Sequence, residues 1–207
     1  GVNTVPILAL DVDGVIIDGF PRNRWDQTLE ADLGINPARL TEEFFKPHWD
    51  EIMRGMKSVE PPLTAFLQEY GSAVTTAQFI AYWHGNDANV QHHVIEAALS
   101  WQSRTGGRLA LATNQDLTRA KYLREDLGLG KHFEIMIVSC QIGAAKPEPE
   151  YFLRADELLE RAPGGQVIFL DDMEVNVAAA RTQGWDAHHV ESIAHGVEML
   201  EGLGSSK

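Results

Sequence analysis

Two acidic residues, separated by one position, follow the first apolar run of the chain. Asp11 and Asp13 come directly after residues 5–10, and Gly14 closes the stretch. A short apolar run that ends in this way is typical of a buried central strand in a parallel sheet, and ligands bind at the carboxyl edge of such a sheet. Two carboxylates at that edge can act as a nucleophile toward phosphorus and as a general acid and base. A solvated turn at a strand end would use the same residues, so the rest of the chain must decide between the two interpretations.

Polar residues of complementary types follow the later apolar runs. They are Thr113 and Asn114 at the end of the second predicted strand, Lys146 after the third, and Asp171 and Asp172 after the fourth. A hydroxyl and an amide can hydrogen-bond a phosphoryl oxygen, a lysine supplies a positive charge, and acids can hold a metal. Because parallel strands bring their carboxyl ends to one edge, we expect these side chains to form one site.

The elements that would carry these residues alternate between strands and helices. Apolar runs predict strands at residues 5–10, 109–113, 135–138, 167–170 and 187–190. Amphipathic stretches between them predict helices. This rhythm predicts right-handed strand-helix-strand units and an α/β fold with a doubly wound parallel sheet. We assign residues 1–17 and 90–207 to this Rossmann-like core.

Residues 18–89 carry only helical patterns and predict an inserted helical bundle. Apolar residues at four-residue spacing predict a first helix over residues 25–33, before Gly34. Asn36 is typical of a helix N-cap, and we expect the helix that it begins to end at Pro47. A short helix and two longer ones would complete the bundle.

Composition restricts the classes of protein. The chain has 207 residues, 44% of them apolar, which is enough for one sizeable core and a smaller appended unit. Its 17 Lys and Arg against 30 Asp and Glu give a formal net charge of -13, which disfavours nucleic acid as a partner but allows a small anion beside a local cation. Cys140 is the only cysteine, so no disulfide can form within the chain. Without a signal-peptide pattern or a long apolar run, we expect a cytoplasmic protein that does not enter a membrane, either a monomer or a homodimer.

Four short motifs occur in the order and spacing of a known superfamily. They are Asp11-x-Asp13-Gly14, Thr113-Asn114, Lys146-Pro147 and Asp171-Asp172-x-x-x-Asn176. This set resembles the motifs of the haloacid dehalogenase-like hydrolases, and the resemblance covers the whole chain. The insert at residues 18–89 resembles the cap domain of the superfamily's first subclass. We therefore expect a substrate to bind between the cap and the core.

The resemblance implies a role for each motif residue. Asp11 would be the nucleophile, and Asp13 the general acid and base, of a phosphatase that forms an aspartyl phosphate. Thr113 would bind a phosphoryl oxygen beside the backbone amide of Asn114. Lys146 would hold Asp11 and the transferring group, where its charge is worth most in the transition state.

The resemblance also implies a metal site. Asp172 would bind the ion together with Asp11 and the backbone carbonyl of Asp13. Electrostatics agrees, because two carboxylates about 4 Å apart repel each other by roughly 4 kcal/mol at an effective dielectric constant of about 20. Oxygen ligands without a nearby histidine or cysteine favour Mg²⁺. Asn176 would orient ligands, and Asp171 would support the site from outside, cap the following helix, or do both.

The leading hypothesis is a Mg²⁺-dependent phosphatase for a small phosphorylated metabolite. Three alternatives stay open: a haloacid dehalogenase, a sugar phosphomutase, and a binding module that kept the fold without catalysis. Asp13 disfavours the dehalogenase, because the resemblance implies that the second acid is usually replaced in that group. The intact acids together with Thr113 and Lys146 disfavour a binding module.

Other residues have less specific interpretations. We interpret His92-His93 and His188-His189 as surface or packing residues, because adjacent side chains point to different faces. Cys140 is expected to be a structural thiol. Most aromatic residues of the insert are expected in its core. Those considered for substrate contact are Trp25, His48, Trp49 and Arg54, together with Asp18 and Arg22 near the start of the insert.

Overall fold

Five parallel strands form one sheet in the computed structural model, which describes residues 5–204. In chain order they are β1 (Ile7–Leu10), β2 (Arg108–Thr113), β3 (Ile135–Val138), β4 (Val167–Asp171) and β5 (Asp186–His189). Across the sheet the order is β3-β2-β1-β4-β5, so β1 lies in the centre and the strand order reverses between β1 and β4. Leu10, the last residue of β1, pairs with Leu111 and with Leu170. The predicted α/β fold with a doubly wound parallel sheet is confirmed.

Helices occupy the segments between the strands and the long insert after β1. In chain order they are α1 (Leu29–Leu33), α2 (Pro37–Leu40), α3 (Lys46–Met53), α4 (Glu60–Tyr70), α5 (Thr76–Gly85), α6 (His92–Thr105), α7 (Leu117–Lys121), α8 (Ser139–Ile142), α9 (Pro149–Leu159), α10 (Glu174–Thr182) and α11 (Ile193–Gly202). Residues 1–4 and 205–207, which the sequence assigns to the core, lie outside the described residues.

Apolar side chains cover both faces of the sheet. Leu8 and Leu10 belong to one hydrophobic cluster, together with Trp101 of α6. Ile7 and Ala9 point the other way, into a second cluster that contains residues of α9 and α10. Successive residues of a strand alternate between its two faces, so both faces of β1 are buried. This double burial explains why β1 is a continuous apolar run in the sequence.

Helices α1 to α5 pack around a third hydrophobic cluster, whose buried members all lie between residues 25 and 83. At its centre the rings of Trp25 and Trp83 stack with their centroids 5.1 Å apart. Phe79 meets the Trp25 ring edge-on at 6.1 Å. This separate cluster supports the interpretation that the insert folds around its own core. The borders of the insert at residues 18 and 89 stay a prediction.

The helix predicted over residues 25–33 is shorter than expected. Only Leu29–Leu33 is helical, and Gly34 ends it in the left-handed conformation, with φ of 71°, as predicted. Trp25 lies in the preceding turn, yet its side chain is buried in the same cluster as Leu29. The four-residue spacing of Trp25 and Leu29 therefore reflects their burial in the same cluster, and it does not indicate one continuous helix.

The prediction that a helix ends at Pro47 is wrong. Asn36 caps α2 as expected, its side chain accepting two backbone N–H groups, but helical structure continues to Met53. A π-helical turn at Thr41–Phe45 precedes α3, and the Lys46 N–H donates to the Thr41 carbonyl five residues back. Proline has no N–H and crowds the turn before it, and a widened turn accommodates both effects.

Candidate active site

A buried lysine joins the carboxylates that follow β1 and end β4. Lys146 Nζ donates to Asp11 Oδ1 at 3.0 Å and to Asp171 Oδ2 at 2.7 Å. Its third hydrogen bond, at 2.8 Å, goes to the carbonyl of Ala112 in β2. The Lys146 side chain is 2% exposed, so the ammonium group depends on these three acceptors. The structure thus places Asp11, Lys146 and Asp171 in direct contact.

Three carboxylates crowd this end of the sheet. Oxygen atoms of Asp11, Asp171 and Asp172 lie within 4.8 Å of one another. Burial, followed by the charge of Asp171, raises the pKa of Asp11 well above its ordinary value, and the same two causes raise the pKa of Asp172. Burial alone would lower the pKa of Lys146, but attraction to Asp11 and Asp171 outweighs it, so the lysine stays charged. One ammonium group serves three acids, and a further cation would relieve their repulsion.

Asp171 is held from several directions. Its Oδ1 atom accepts from the Met173 N–H at 2.8 Å, and Asn176 Nδ2 lies 3.2 Å from Oδ1 and 3.1 Å from Oδ2. The alternative in which Asp171 is the N-cap residue is wrong, because α10 begins at Glu174 with Met173 as its N-cap. Only residues 172 and 173 separate β4 from α10, and Lys146 and Asn176 fix the Asp171 carboxylate at this end of the sheet.

Asp13 faces a different set of donors. Its Oδ2 atom accepts from Gln115 Nε2 at 2.7 Å and from Arg119 Nη1 at 2.9 Å. Gln115 Nε2 also donates to Thr113 Oγ1 at 2.9 Å, so one amide links Thr113 to Asp13. Sequence reasoning missed Gln115 and Arg119. The available signal was their position, because Gln115 directly follows Thr113-Asn114 and Arg119 lies on α7, the helix that begins two residues later.

Asn114 acts on the loop that carries Lys146. Its Nδ2 atom donates to the Lys146 carbonyl at 3.0 Å, and its Oδ1 atom accepts from the Lys146 N–H at 2.9 Å. The predicted contact of the Asn114 backbone amide with a phosphoryl oxygen is separate from this and stays a prediction. The side chain fixes the backbone from which Lys146 reaches Asp11.

Gly14 is required at its position. Its φ is 86°, a left-handed value that side chains disfavour, and a Cβ atom there would lie 2.1 Å from Asp172 Oδ2. The Gly14 carbonyl accepts from Arg22 Nη2 at 2.9 Å, so Arg22 holds the loop that follows Asp13. Asp172 can approach the backbone after Asp13 only because no side chain stands between them.

The candidate residues of the insert have structural contacts of their own. Trp25 and Trp49 pack with the aromatic residues of the third cluster, and His48 Nδ1 lies 3.0 Å from Lys57 Nζ. Arg54 reaches the core, where its Nε atom donates to Glu148 Oε1 at 2.9 Å. A cavity of about 260 Å³ lies between residues 52–60 of the insert and the starts of α7 and α8. Residues that line it include Ile52, Lys57, Val59, Asp116, Leu117 and Cys140.

The histidine pairs and the cysteine differ in their proximity to the site. His93 is an exposed residue near Glu96, in keeping with the surface interpretation. His189 lies closer than expected, because its Nε2 atom is 3.0 Å from the Asp172 carbonyl oxygen. Cys140 is half-buried, and burial raises the pKa of its thiol to about 11, so it is a poor nucleophile near neutral pH.

Comparisons with known proteins identify the family of the chain. The family model of haloacid dehalogenase-like hydrolases matches residues 5–184, and the chain belongs to this family of hydrolases. The chain is 36% identical over 186 residues to a plasmid-encoded phosphoglycolate phosphatase of Cupriavidus necator, a match that covers 84% of this chain and 76% of the relative. It is 26% identical over 201 residues to a phosphorylated carbohydrates phosphatase of Thermotoga maritima, covering 92% and 88%.

A solved structure shares the fold. An HAD family enzyme of Bacteroides thetaiotaomicron, crystallised with magnesium and inorganic phosphate, superimposes with a TM-score of 0.75 at 18% identity, covering 91% of this chain and 95% of that one. Within residues 5–204, none of the helices combines the length and the apolar character that a membrane span requires.

Proposed function

We propose that this hydrolase is a Mg²⁺-dependent phosphatase that cleaves a small phosphomonoester through an aspartyl phosphate on Asp11. The observation that carries the proposal is that two neighbouring acids have different partners. Asp11 pairs with the buried Lys146 at 3.0 Å, whereas Asp13, two residues later, is held by other donors. Two acids in different environments can take different roles, one as nucleophile and one as proton carrier. The names of the Cupriavidus and Thermotoga relatives support a phosphatase.

In the first step a carboxylate oxygen of Asp11 attacks phosphorus. The new oxygen–phosphorus bond forms as the bond to the leaving alcohol breaks, and Asp13 gives its proton to the departing oxygen. In the second step Asp13 takes a proton from a water molecule that attacks the same phosphorus. Inorganic phosphate leaves, and the Asp11 carboxylate is restored.

The neighbouring residues position the phosphoryl group and stabilise its charge. Lys146 offers a fixed positive charge that needs no reorganisation during the reaction, because Asp171, the Ala112 carbonyl and the Asn114 side chain already hold it. Thr113, at the end of β2, would bind a phosphoryl oxygen. The backbone amide of Asn114 would bind another.

The carboxylates fit a magnesium ion. Oxygen atoms of three acids lie within 4.8 Å of one another, and two of these acids have raised pKa values. A divalent cation would stabilise this cluster, and Mg²⁺ prefers oxygen ligands of this kind. Asp11, Asp172 and the Asp13 carbonyl would hold the ion, while Asp171 is occupied by Lys146 and Asn176 and supports the site. When bound, the ion would neutralise the carboxylates and the incoming phosphate. The magnesium in the Bacteroides structure supports this assignment.

The substrate is proposed to be a small phosphorylated metabolite that binds between the insert and the core, with the insert as a cap. A net charge of -13 disfavours a nucleic acid but allows a small anion beside a local cation such as Lys146. The presence of a second acid, Asp13, disfavours a haloacid dehalogenase. A cytoplasmic location and a monomeric or homodimeric state stay predictions.

A substrate panel tests the proposal. Phosphate release would be measured from 2-phosphoglycolate, several sugar phosphates and p-nitrophenyl phosphate, with Mg²⁺ and with excess chelator, for wild type and Asp11→Asn. We expect release that requires both the ion and Asp11. Chloride release from a 2-haloacid without phosphate release would instead support a dehalogenase.

A further inference from the structure

Arg119 is a buried cation beside the proposed acid and base. It lies on α7, and its side chain is only 4% exposed. Nη1 donates to Asp13 Oδ2 at 2.9 Å and to Gln115 Oε1 at 3.0 Å. Burying a guanidinium group is costly unless charged or polar partners compensate for the lost water, and Asp13 is one of those partners.

The two carboxylate oxygens of Asp13 have different contacts. Oδ2 accepts both from Arg119 and from Gln115 Nε2. Oδ1 is buried and finds no hydrogen-bond partner within residues 5–204. The Asp13 side chain is 33% exposed, so its burial is only partial. The anchored oxygen is thus Oδ2, and the two donors on it fix the orientation of the whole carboxylate.

The other end of the guanidinium group reaches a connection between insert and core. Nη2 donates to the Asp87 carbonyl at 3.0 Å and lies 3.4 Å from Asp87 Oδ2. Asp87 lies between α5 and α6, where the chain returns from the insert. On the outgoing connection, a Cβ atom at Gly19 would be 2.3 Å from Asp87 Oδ1, so the two connections touch at this carboxylate. Arg119 therefore links Asp13 to the returning connection, and Asp87 in turn touches the outgoing one.

We propose that Arg119 is a positioning residue that acts through Asp13, holding Oδ2 and thereby fixing the carboxylate in the orientation that proton transfer requires, with Asp87 as the second anchor of its guanidinium group. The inference deepens the proposed function and rests on it. A planar guanidinium with several N–H groups can serve Asp13, Gln115 and Asp87 together, whereas an ammonium group cannot span the same acceptors. Arg119→Lys therefore keeps the buried positive charge but cannot make the hydrogen bonds to Asp13, Gln115 and Asp87 at the same time.

The dependence of the rate on the leaving group separates positioning from a merely structural role. An alkyl phosphate needs a proton on its leaving oxygen, and p-nitrophenyl phosphate does not, because p-nitrophenolate is stable. We would measure kcat/KM, which reports the steps up to leaving-group departure, for both substrate types. The variants are Arg119→Lys and Arg119→Met. Lys121→Met is the control that removes a positive charge from the exposed side of α7.

We expect Arg119→Lys to lower kcat/KM for the alkyl phosphate by about 10²-fold, the lower end of what general acid catalysis contributes, and to change it less than about threefold for p-nitrophenyl phosphate. Lys121→Met should match wild type with both substrates. Equal losses with both substrates would overturn the inference. If Arg119→Met does not fold, as judged by circular dichroism, Arg119→Lys alone decides.

A double-mutant cycle tests whether Arg119 acts through Asp13. In an Asp13→Asn background, Arg119→Lys should have little further effect on the alkyl phosphate, because the group that it positions is gone. A second loss of similar size would overturn the inference even with an active wild type. A wild type that releases no phosphate with Mg²⁺ would instead reject the proposed function, and with it the reaction in which Arg119 takes part.

Discussion

Lys146 Nζ lies 3.0 Å from Asp11 Oδ1, and the two side chains are only 2% and 9% exposed. The pair joins residues that are 135 positions apart in the chain. The order of strands β3-β2-β1 brings the loop after β3 across β2 to the end of β1. The side chain of Asn114, the residue after β2, holds that loop through two hydrogen bonds with the Lys146 backbone. The central contact of the site is therefore a product of the sheet topology.

Replacing Lys146 by methionine should impair both activity and stability. The variant leaves Asp11 and Asp171 buried without their shared cation, and breaking a buried ion pair in this way costs about 3–5 kcal/mol. We expect kcat/KM to fall by at least about 10²-fold. Urea unfolding and steady-state kinetics measure the two effects, with the exposed Lys131→Met as control. Wild-type kinetics in Lys146→Met would contradict the proposed role of the lysine.

Gly14→Ala should remove Mg²⁺-dependent activity. Its Cβ atom would lie 2.1 Å from Asp172 Oδ2, so either the carboxylate or the loop must move. Gly71→Ala is a matched control, because Gly71 has φ of 77° and nothing within 4 Å of a Cβ atom. Both variants carry left-handed backbone strain of about 1–2 kcal/mol, and only the first displaces Asp172. Equal activities of the two variants, measured over a Mg²⁺ titration, would show that Asp172 does not bind the ion.

Asp87 should make stability depend on pH. Burial raises the pKa of Asp87 to about 6, with partial compensation by Arg119. The folded state holds this proton more tightly than the unfolded chain, so the stabilising contribution is complete below about pH 4 and is lost as the pH rises through about 6. A rise of about two pKa units corresponds to about 3 kcal/mol.

The comparison with Asp87→Asn isolates this effect. As the pH rises from about 4 to 7, the free energy of unfolding of wild type should fall relative to that of the variant by roughly 3 kcal/mol. Urea unfolding at several pH values measures the difference, and groups common to both proteins cancel. A difference that stays constant with pH would mean that Asp87 has an ordinary pKa.

Much of the fold could be predicted because burial leaves a simple pattern. A central strand such as β1 is apolar at every position, and the stop at Gly34 follows from its left-handed backbone. The turn before Pro47 could not be predicted, because a proline inside a helix is tolerated only through a local widening that the apolar pattern does not record. The position of Trp25 could not be predicted for a similar reason, because an apolar pattern shows that a side chain is buried but not whether it lies in a helix or in a turn.

The site was predictable as far as it follows the strand ends. Asp11 and Lys146 are residue types whose chemistry is specific, and the topology brings them together. Gln115 and Arg119 could not be assigned to the site from their types, because glutamine and arginine are usually solvated. Their role depends on how the connection after β2 and the helix α7 are oriented toward Asp13, and tertiary packing sets this orientation.

The most direct test of the account is to capture the phosphorylated enzyme. Asp13→Asn would be mixed with Mg²⁺ and p-nitrophenyl phosphate labelled at phosphorus, and then quenched in acid within one turnover. The label would be located by peptide mapping. Because the variant lacks the base for the second step, we predict a hydroxylamine-sensitive label on the peptide that contains Asp11, and none in the Asp11→Asn, Asp13→Asn double variant. A label on another peptide, or release of p-nitrophenol by Asp13→Asn with no labelled protein, would contradict an aspartyl phosphate on Asp11.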